Sequence, residues 1–265
     1  MTTTFRSISA LIFLVLCLFP VTVFSSKIPL PENQGKVVLN NFSKNAGIAP
    51  VVFDHWLHRA KFTCRVCHID VGFAMEEEAT GISADLNMQG LYCGACHNGE
   101  REIDDTVVFA ACAEKFTEKE EARCARCHSR GAEGKREYEF EKFTKNFPRL
   151  RGGASIDWEK AEEEGIIKLI DFLPGVSYHR DPLKAQEDFS IEVTTWKSDV
   201  IFSHKKHAVW NGCEVCHPQI FPSSEKGTVQ YSMFDIMRGE YCGACHLSVS
   251  FSVWICYKCH KNPVR

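Results

Sequence analysis

Residues 53–68 read Phe-Asp-His-Trp-Leu-His-Arg-Ala-Lys-Phe-Thr-Cys-Arg-Val-Cys-His, and residues 202–217 read Phe-Ser-His-Lys-Lys-His-Ala-Val-Trp-Asn-Gly-Cys-Glu-Val-Cys-His. Each stretch carries two histidines three residues apart, then five residues, then Cys-x-x-Cys-His. The closing string occurs six times: Cys64-Cys67-His68, Cys93-Cys96-His97, Cys124-Cys127-His128, Cys213-Cys216-His217, Cys242-Cys245-His246 and Cys256-Cys259-His260. Cysteines at i and i+3 of a helical turn share a face, so both sulfurs reach one flat ring. Histidine at i+4 lies on that same face and can ligate the metal. This is the attachment signal for a c-type haem. A zinc site or a disulfide needs no histidine directly after the second cysteine, whereas all six pairs here have one. Six haem c groups are therefore expected.

The rest of the composition agrees. Of 265 residues, 45% are hydrophobic and 25% charged, which excludes intrinsic disorder. The formal net charge of −3 comes with no basic tract, so a nucleic-acid binder is excluded too. Fourteen cysteines exceed what a cytosolic domain carries. Met1 to Arg6 followed by the apolar run Ala10 to Phe24 reads as a secretory signal peptide, residues 1–25, removed near Ser25 or Ser26. The run is shorter than a membrane span needs. Cys17 follows Leu16, where a lipoprotein signal would have a small residue. No later stretch is long and apolar enough to span a bilayer, so the mature chain is expected to be soluble and periplasmic, with the cell exterior as the other location.

Six haems call for six further ligands or open sites. Beyond the attachment histidines, His55, His58, His179, His204 and His207 remain. The matched pairs His55/His58 and His204/His207 stand in equivalent places before a haem string and are expected to serve as ligands. Shifting the numbering by 149 lays residues 51–97 on residues 200–246 without a gap. The third string then begins 28 residues after Cys96 but only 11 after Cys245, so the first copy holds a 17-residue insertion. Cys112 lies in that insertion. It reads as a small buried side chain, a neighbour of the third haem, or a substitute for Cys124 in attachment.

The expected fold is mainly α with little regular secondary structure: two triheme units packed around covalent haems, joined by a partly helical connector. The boundaries are a leader at 26–50, a first triheme domain at 51–130, a connector at 131–198 and a second triheme domain at 199–265. Units this small can hardly build a side-chain core, so the haems should replace it. A short strand pair is expected around 35–40 or 51–53. In the connector, residues 155–165 read as a helix that starts near Asp157, exposes Glu159 to Glu164 on a solvated face and stops at Gly165. Pro174-Gly175 marks a turn.

The order F-x-H-x-x-H, C-x-x-C-H, Y-C-G-A-C-H and a third C-x-x-C-H resembles the triheme cytochrome c7 family of the cytochrome c3 superfamily, over residues 51–128 and 200–260. The resemblance implies small periplasmic carriers of anaerobic respiration with closely packed, low-potential, six-coordinate haems. It pairs His55 with His68, His58 with His97, His204 with His217 and His207 with His246. The family's ligand for its third haem falls on Gln89 and Arg238, which cannot replace it. Methionines of the same stretch serve some tandem relatives, and here they are Met88, Met233 and Met237. Met233 or Met237 is the candidate for the His260 iron. For the His128 iron the candidates are His179, Met88 or an open site.

A haem with two strong ligands passes electrons and binds no substrate. The first functional reading is an electron carrier exchanging with redox proteins, such as other cytochromes or inner-membrane oxidoreductases, and not an enzyme. The second is a multihaem reductase of a small oxyanion at an open His128 haem. The third, a haem-based sensor, lacks an output domain.

Overall fold

The computed structural model describes residues 30–112, 123–128, 139–153, 155–181, 187–191, 199–225 and 227–260. The signal peptide lies outside these residues.

Regular structure is sparse. Six short helices have both ends among the described residues: α1 (His55–Arg59), α2 (Ala84–Met88), α3 (Trp158–Glu163), α4 (His204–Asn211), α5 (Met233–Met237) and α6 (Gly243–His246); residues 139–143 are helical as well. Single helical turns at Val66–Val71, Tyr92–Ala95 and Cys256–Lys258 carry other haem strings or their edges. Strands come as three antiparallel pairs. β1 (Lys36–Leu39) runs against β2 (Val51–Asp54), with Lys36 opposite Asp54 and Leu39 opposite Val51. β3 (Glu102–Ile103) pairs with β4 (Thr106–Val107), and β5 (Phe189–Ile191) with β6 (Val200–Phe202). The strand pair expected near the start thus forms between the two segments singled out as candidates.

The repeat is visible in backbone detail. In each copy a strand (β2, β6) leads into the helix that holds the histidine pair (α1, α4). The helices α2 and α5 sit 149 residues apart, each capped by a serine whose hydroxyl accepts a backbone N–H, Ser83 from Leu86 and Ser232 from Asp235. Tyr92 and Tyr241 both take positive φ, 47° and 51°. The third string closes each copy onto its opening strand. The Val52 amide donates to the Cys127 carbonyl (2.9 Å), and the Ile201 amide to the Cys259 carbonyl (3.2 Å).

The glycine of Tyr-Cys-Gly-Ala-Cys-His has a steric reason. A Cβ on Gly94 would lie 1.8 Å from the Asn87 carbonyl oxygen, and one on Gly243 1.9 Å from that of Ile236. In each copy, α2 or α5 therefore presses its backbone directly on the second haem string.

One expectation is corrected. The chain does build a side-chain core, and the connector builds much of it. Phe140, Ile156, Trp158, Ala161 and Ile167 are buried with Trp56 and Ala60 of the first copy, and Trp210 of α4 packs against them. Trp56 meets Phe140 edge-on at 5.2 Å, and Trp158 meets Phe147 edge-on at 5.7 Å, arrangements that aromatic quadrupoles favour. A smaller cluster joins Phe62 and Val66 to Leu173 of the connector.

The connector helix α3 is shorter than the segment read as helical, and its acidic face is not simply solvated. Lys206, between His204 and His207, pairs with Glu159 and with Glu163. Lys258, inside the third string of the second copy, pairs with Glu159 (3.1 Å) and Asp157 (3.7 Å). Asp157 also caps α3 by accepting the Lys160 amide at 3.2 Å. Asp157→Ala is expected to cost about 1 kcal/mol through the lost cap, measured as a lower urea midpoint with an unchanged slope.

Candidate haem-binding site

Two imidazoles bound to opposite sides of one metal ion have ring centres about 6 Å apart, given metal–nitrogen bonds of about 2.0 Å and about 1 Å from nitrogen to ring centre. His55 and His68 stand 6.4 Å apart with planes 5° from parallel. His58 and His97 are 6.2 Å apart, and His207 and His246 also 6.2 Å. These pairs lie far apart in sequence, yet each leaves the gap that one iron would fill.

Backbone carbonyls fix the rings. Nδ1 donates to a carbonyl in His68 (Phe73, 2.9 Å), His97 (Phe109, 3.2 Å), His128 (Ala49, 2.7 Å), His217 (Phe221, 2.9 Å) and His246 (Phe251, 2.9 Å). The same holds for His55 on Gly35, His58 on Asp54, His204 on Glu187 and His207 on Ser203. A carbonyl can only accept, so Nδ1 carries the proton and the Nε2 lone pair is left for a metal. Burial lowers the pKa of His55, His58 and His246 to about 4, and lowers those of His68, His97 and His207. All six are therefore neutral at neutral pH, the state a ligand requires. Phe53 packs on both His55 and His58, at 4.8 and 4.5 Å, and Phe202 on His204 and His207 at 4.9 and 4.4 Å.

His179 differs. It is exposed, its ring makes no hydrogen bond to a described residue, and its neighbour Arg180 reaches elsewhere. Arg180 pairs with the buried Asp70 (2.7 Å), two residues past His68, and with Glu214 (2.8 Å), inside the string Cys213–Cys216. The structure thus sets Arg180, the residue after His179, between the first strings of both copies. Met88, Met233 and Met237 are exposed at the ends of α2 and α5. Asn87 Nδ2 donates to Cys112 Sγ at 3.8 Å, which brings α2 beside the insertion.

Ten of the twelve string cysteines are partly buried, and Cys213 and Cys256 are exposed. Burial pushes the Cys93 thiol up to about 12, and nearby Cys127, Cys112 and Cys96 add to it. Burial raises Cys67 to about 12 as well, with Cys96, Cys64 and Cys93 contributing. Cys245, also at about 12, feels Cys64 of the first copy, then Cys216 and Cys242. Cys216 feels Cys64 in turn, and Cys259 feels Cys242. Cys112 is half-buried, so its labelling by a thiol reagent should be slow in the folded protein and fast after unfolding. Fast labelling of the folded state would place it at the surface.

A model of the family described as cytochrome c7 and related cytochrome c matches residues 51–129 and 200–261, more than half of the chain. The chain belongs to the cytochrome c7 family. It is a multihaem cytochrome of tandem c7 type that binds haem c covalently and transfers electrons through it. Among solved structures, it is similar to the C-terminal hexaheme fragment of GSU1996, with 22% identity over 85% of this chain and 96% of that one, at a TM-score of 0.26. The N-terminal hexaheme fragment of GSU1996 has 21% identity over 86% and 99% of the two chains, at a TM-score of 0.25. No curated protein matches the cytochrome. None of its described helices is long and apolar enough to cross a membrane.

Cytochrome membership accounts for the pattern of residues above. Each string offers two cysteines and one histidine. The facing histidines, fixed through Nδ1, present the second nitrogen. What sequence reasoning missed is the set of carbonyls that orient the rings, because any residue supplies a carbonyl and none leaves a trace in the sequence.

Proposed function

We propose that the cytochrome is a periplasmic carrier in anaerobic respiration, with six covalent haems in two triheme units held together by the connector. The spacing of the facing imidazoles carries this reading. His55 and His68, His58 and His97, and His207 and His246 would each hold one iron between them; His204 and His217 are assigned to a fourth through the repeat, as the equivalents of His55 and His68. Bis-histidine ligation fills both axial positions and sets a low potential. The His260 iron takes Met233, with Met237 one helical turn on as the rival. For the His128 iron, His179 and Met88 compete. The contact of Asn87 with Cys112, twelve residues before Cys124, favours Met88. The closure of each third string on the strand that leads into its histidine pair supports an electron path within each copy, and Gly35, packed on both His55 and Val249, joins the copies. Its partners are other redox proteins that dock near either end.

The reductase reading survives only if the His128 haem is open. Intact mass should show six haem additions to the processed chain, and low-temperature EPR of the oxidised protein should be wholly low-spin. Fewer than six additions would overturn the haem count. A high-spin signal in the unmodified protein, enlarged by neither Met88→Ala nor His179→Ala, would indicate an open His128 haem, and turnover of an oxyanion by that protein would then establish the reductase.

A further inference from the structure

Arg59 follows the second histidine of α1, where the second copy has Ala208. Its side chain crosses to the other copy. Nη1 donates to the Val249 carbonyl, and the Val249 amide itself bonds the Cys245 carbonyl at 3.0 Å. The guanidinium lies over Trp158 of the connector at 4.7 Å and near Trp210 of α4 at 5.4 Å. Its Nε is shut off from solvent and has no hydrogen-bond acceptor. Val249 also flanks the first copy: a Cβ on Gly35 would lie 3.1 Å from Val249 Cγ1 and 2.9 Å from His55 Cβ, so the carbonyl that Arg59 holds lies between His55, which faces His68, and the string that ends at His246. Among the described residues no carboxylate forms an ion pair with Arg59. A cation walled in by two indoles, with one donor unmet, exerts its field nearly unscreened on whatever lies beside it.

We infer that Arg59 is a positioning residue for electrons: it sits where the path crosses between the two units and raises the potentials of the two haems it separates, those of His68 and His246. Reduction of either iron adds one electron, with no bond made or broken, and leaves the site one charge less positive. A fixed cation favours that form. The electron should therefore dwell at the junction before leaving by either unit. This rests on the haem assignment proposed above.

The test is a dithionite titration of holo-cytochrome followed by NMR of the haem methyl groups, on Arg59→Gln and Arg59→Lys. Two potentials should fall in Arg59→Gln while the other haems keep theirs, and Arg59→Lys should restore most of the difference. Trp210→Glu gives the cation a carboxylate partner and should lower the same two, a second route if Arg59→Gln fails to fold. Haem count by mass is read on each variant. A count below six in the unmodified protein would sink the haem assignment, not the role of Arg59. Six haems with unchanged potentials, or with all six shifted together, would overturn the role of Arg59.

Discussion

Gly243→Ala is expected to cost roughly 3 kcal/mol or more of stability, and Gly94→Ala the same, at the upper end of what overpacking does. The added Cβ would sit 1.9 Å from the Ile236 oxygen, 2.9 Å from its carbon and 3.2 Å from its Cα. At Gly94 the corresponding distances to Asn87 are 1.8, 2.7 and 2.9 Å. All three atoms are backbone, so no rotamer change relieves the contact. Helix α2 or α5 must lift off the string, taking Met88 or Met237 with it. Thermal unfolding followed by haem absorbance should show a midpoint lower by many degrees. Gly81→Ala is the control: its φ is unexceptional and nothing lies within 4 Å of the added carbon. If Gly243→Ala unfolds no earlier than Gly81→Ala, the close approach of α5 is wrong.

His207→Ala is expected to convert one haem, about one sixth of the total, from low to high spin and to raise its potential, since one strong ligand is lost. The ring of His207 stands 6.2 Å from His246, stacks on Phe202 and is held by the Ser203 carbonyl. No described neighbour occupies its place. His58→Ala should do the same opposite His97. EPR at low temperature reads the spin change, and added imidazole should reverse it by entering the vacated space. A spectrum that stays wholly low-spin in both variants would mean that the pairing of these rings is not ligation.

The strings, the histidine pairs and the 149-residue repeat were legible in the sequence because haem attachment depends on residue identity at fixed spacing. The capping serines and the strand pair were within reach for the same reason: local chemistry sets them. The connector core was not. Trp56, Phe140, Trp158 and Trp210 are far apart in the chain and follow no common period, so only the folded structure joins them. Arg59 went unread as well, although one signal was present. Arg59 stands where the second copy has alanine, but in a helix that keeps only the two histidines and also exchanges Trp56 and Leu57 for Lys205 and Lys206, so the signal was faint. His179 is a candidate because it is the one histidine left unassigned and follows the Pro174-Gly175 turn. Counting cannot register that Arg180 is drawn to Asp70 and Glu214.

Each unit ends by bonding its third string to its own first strand, Cys127 to Val52 and Cys259 to Ile201. Each unit is thus a closed ring of chain, 75 residues around in the first and 58 in the second, counted as sequence separation. The entropy of closing such a ring grows only with the logarithm of its length, so the 17 extra residues cost about 0.2 kcal/mol. The stretch between Cys96 and Cys124 is therefore a place where the chain can lengthen almost freely. Closure waits on the last string, so each unit can lock only after its third Cys-x-x-Cys-His has been made.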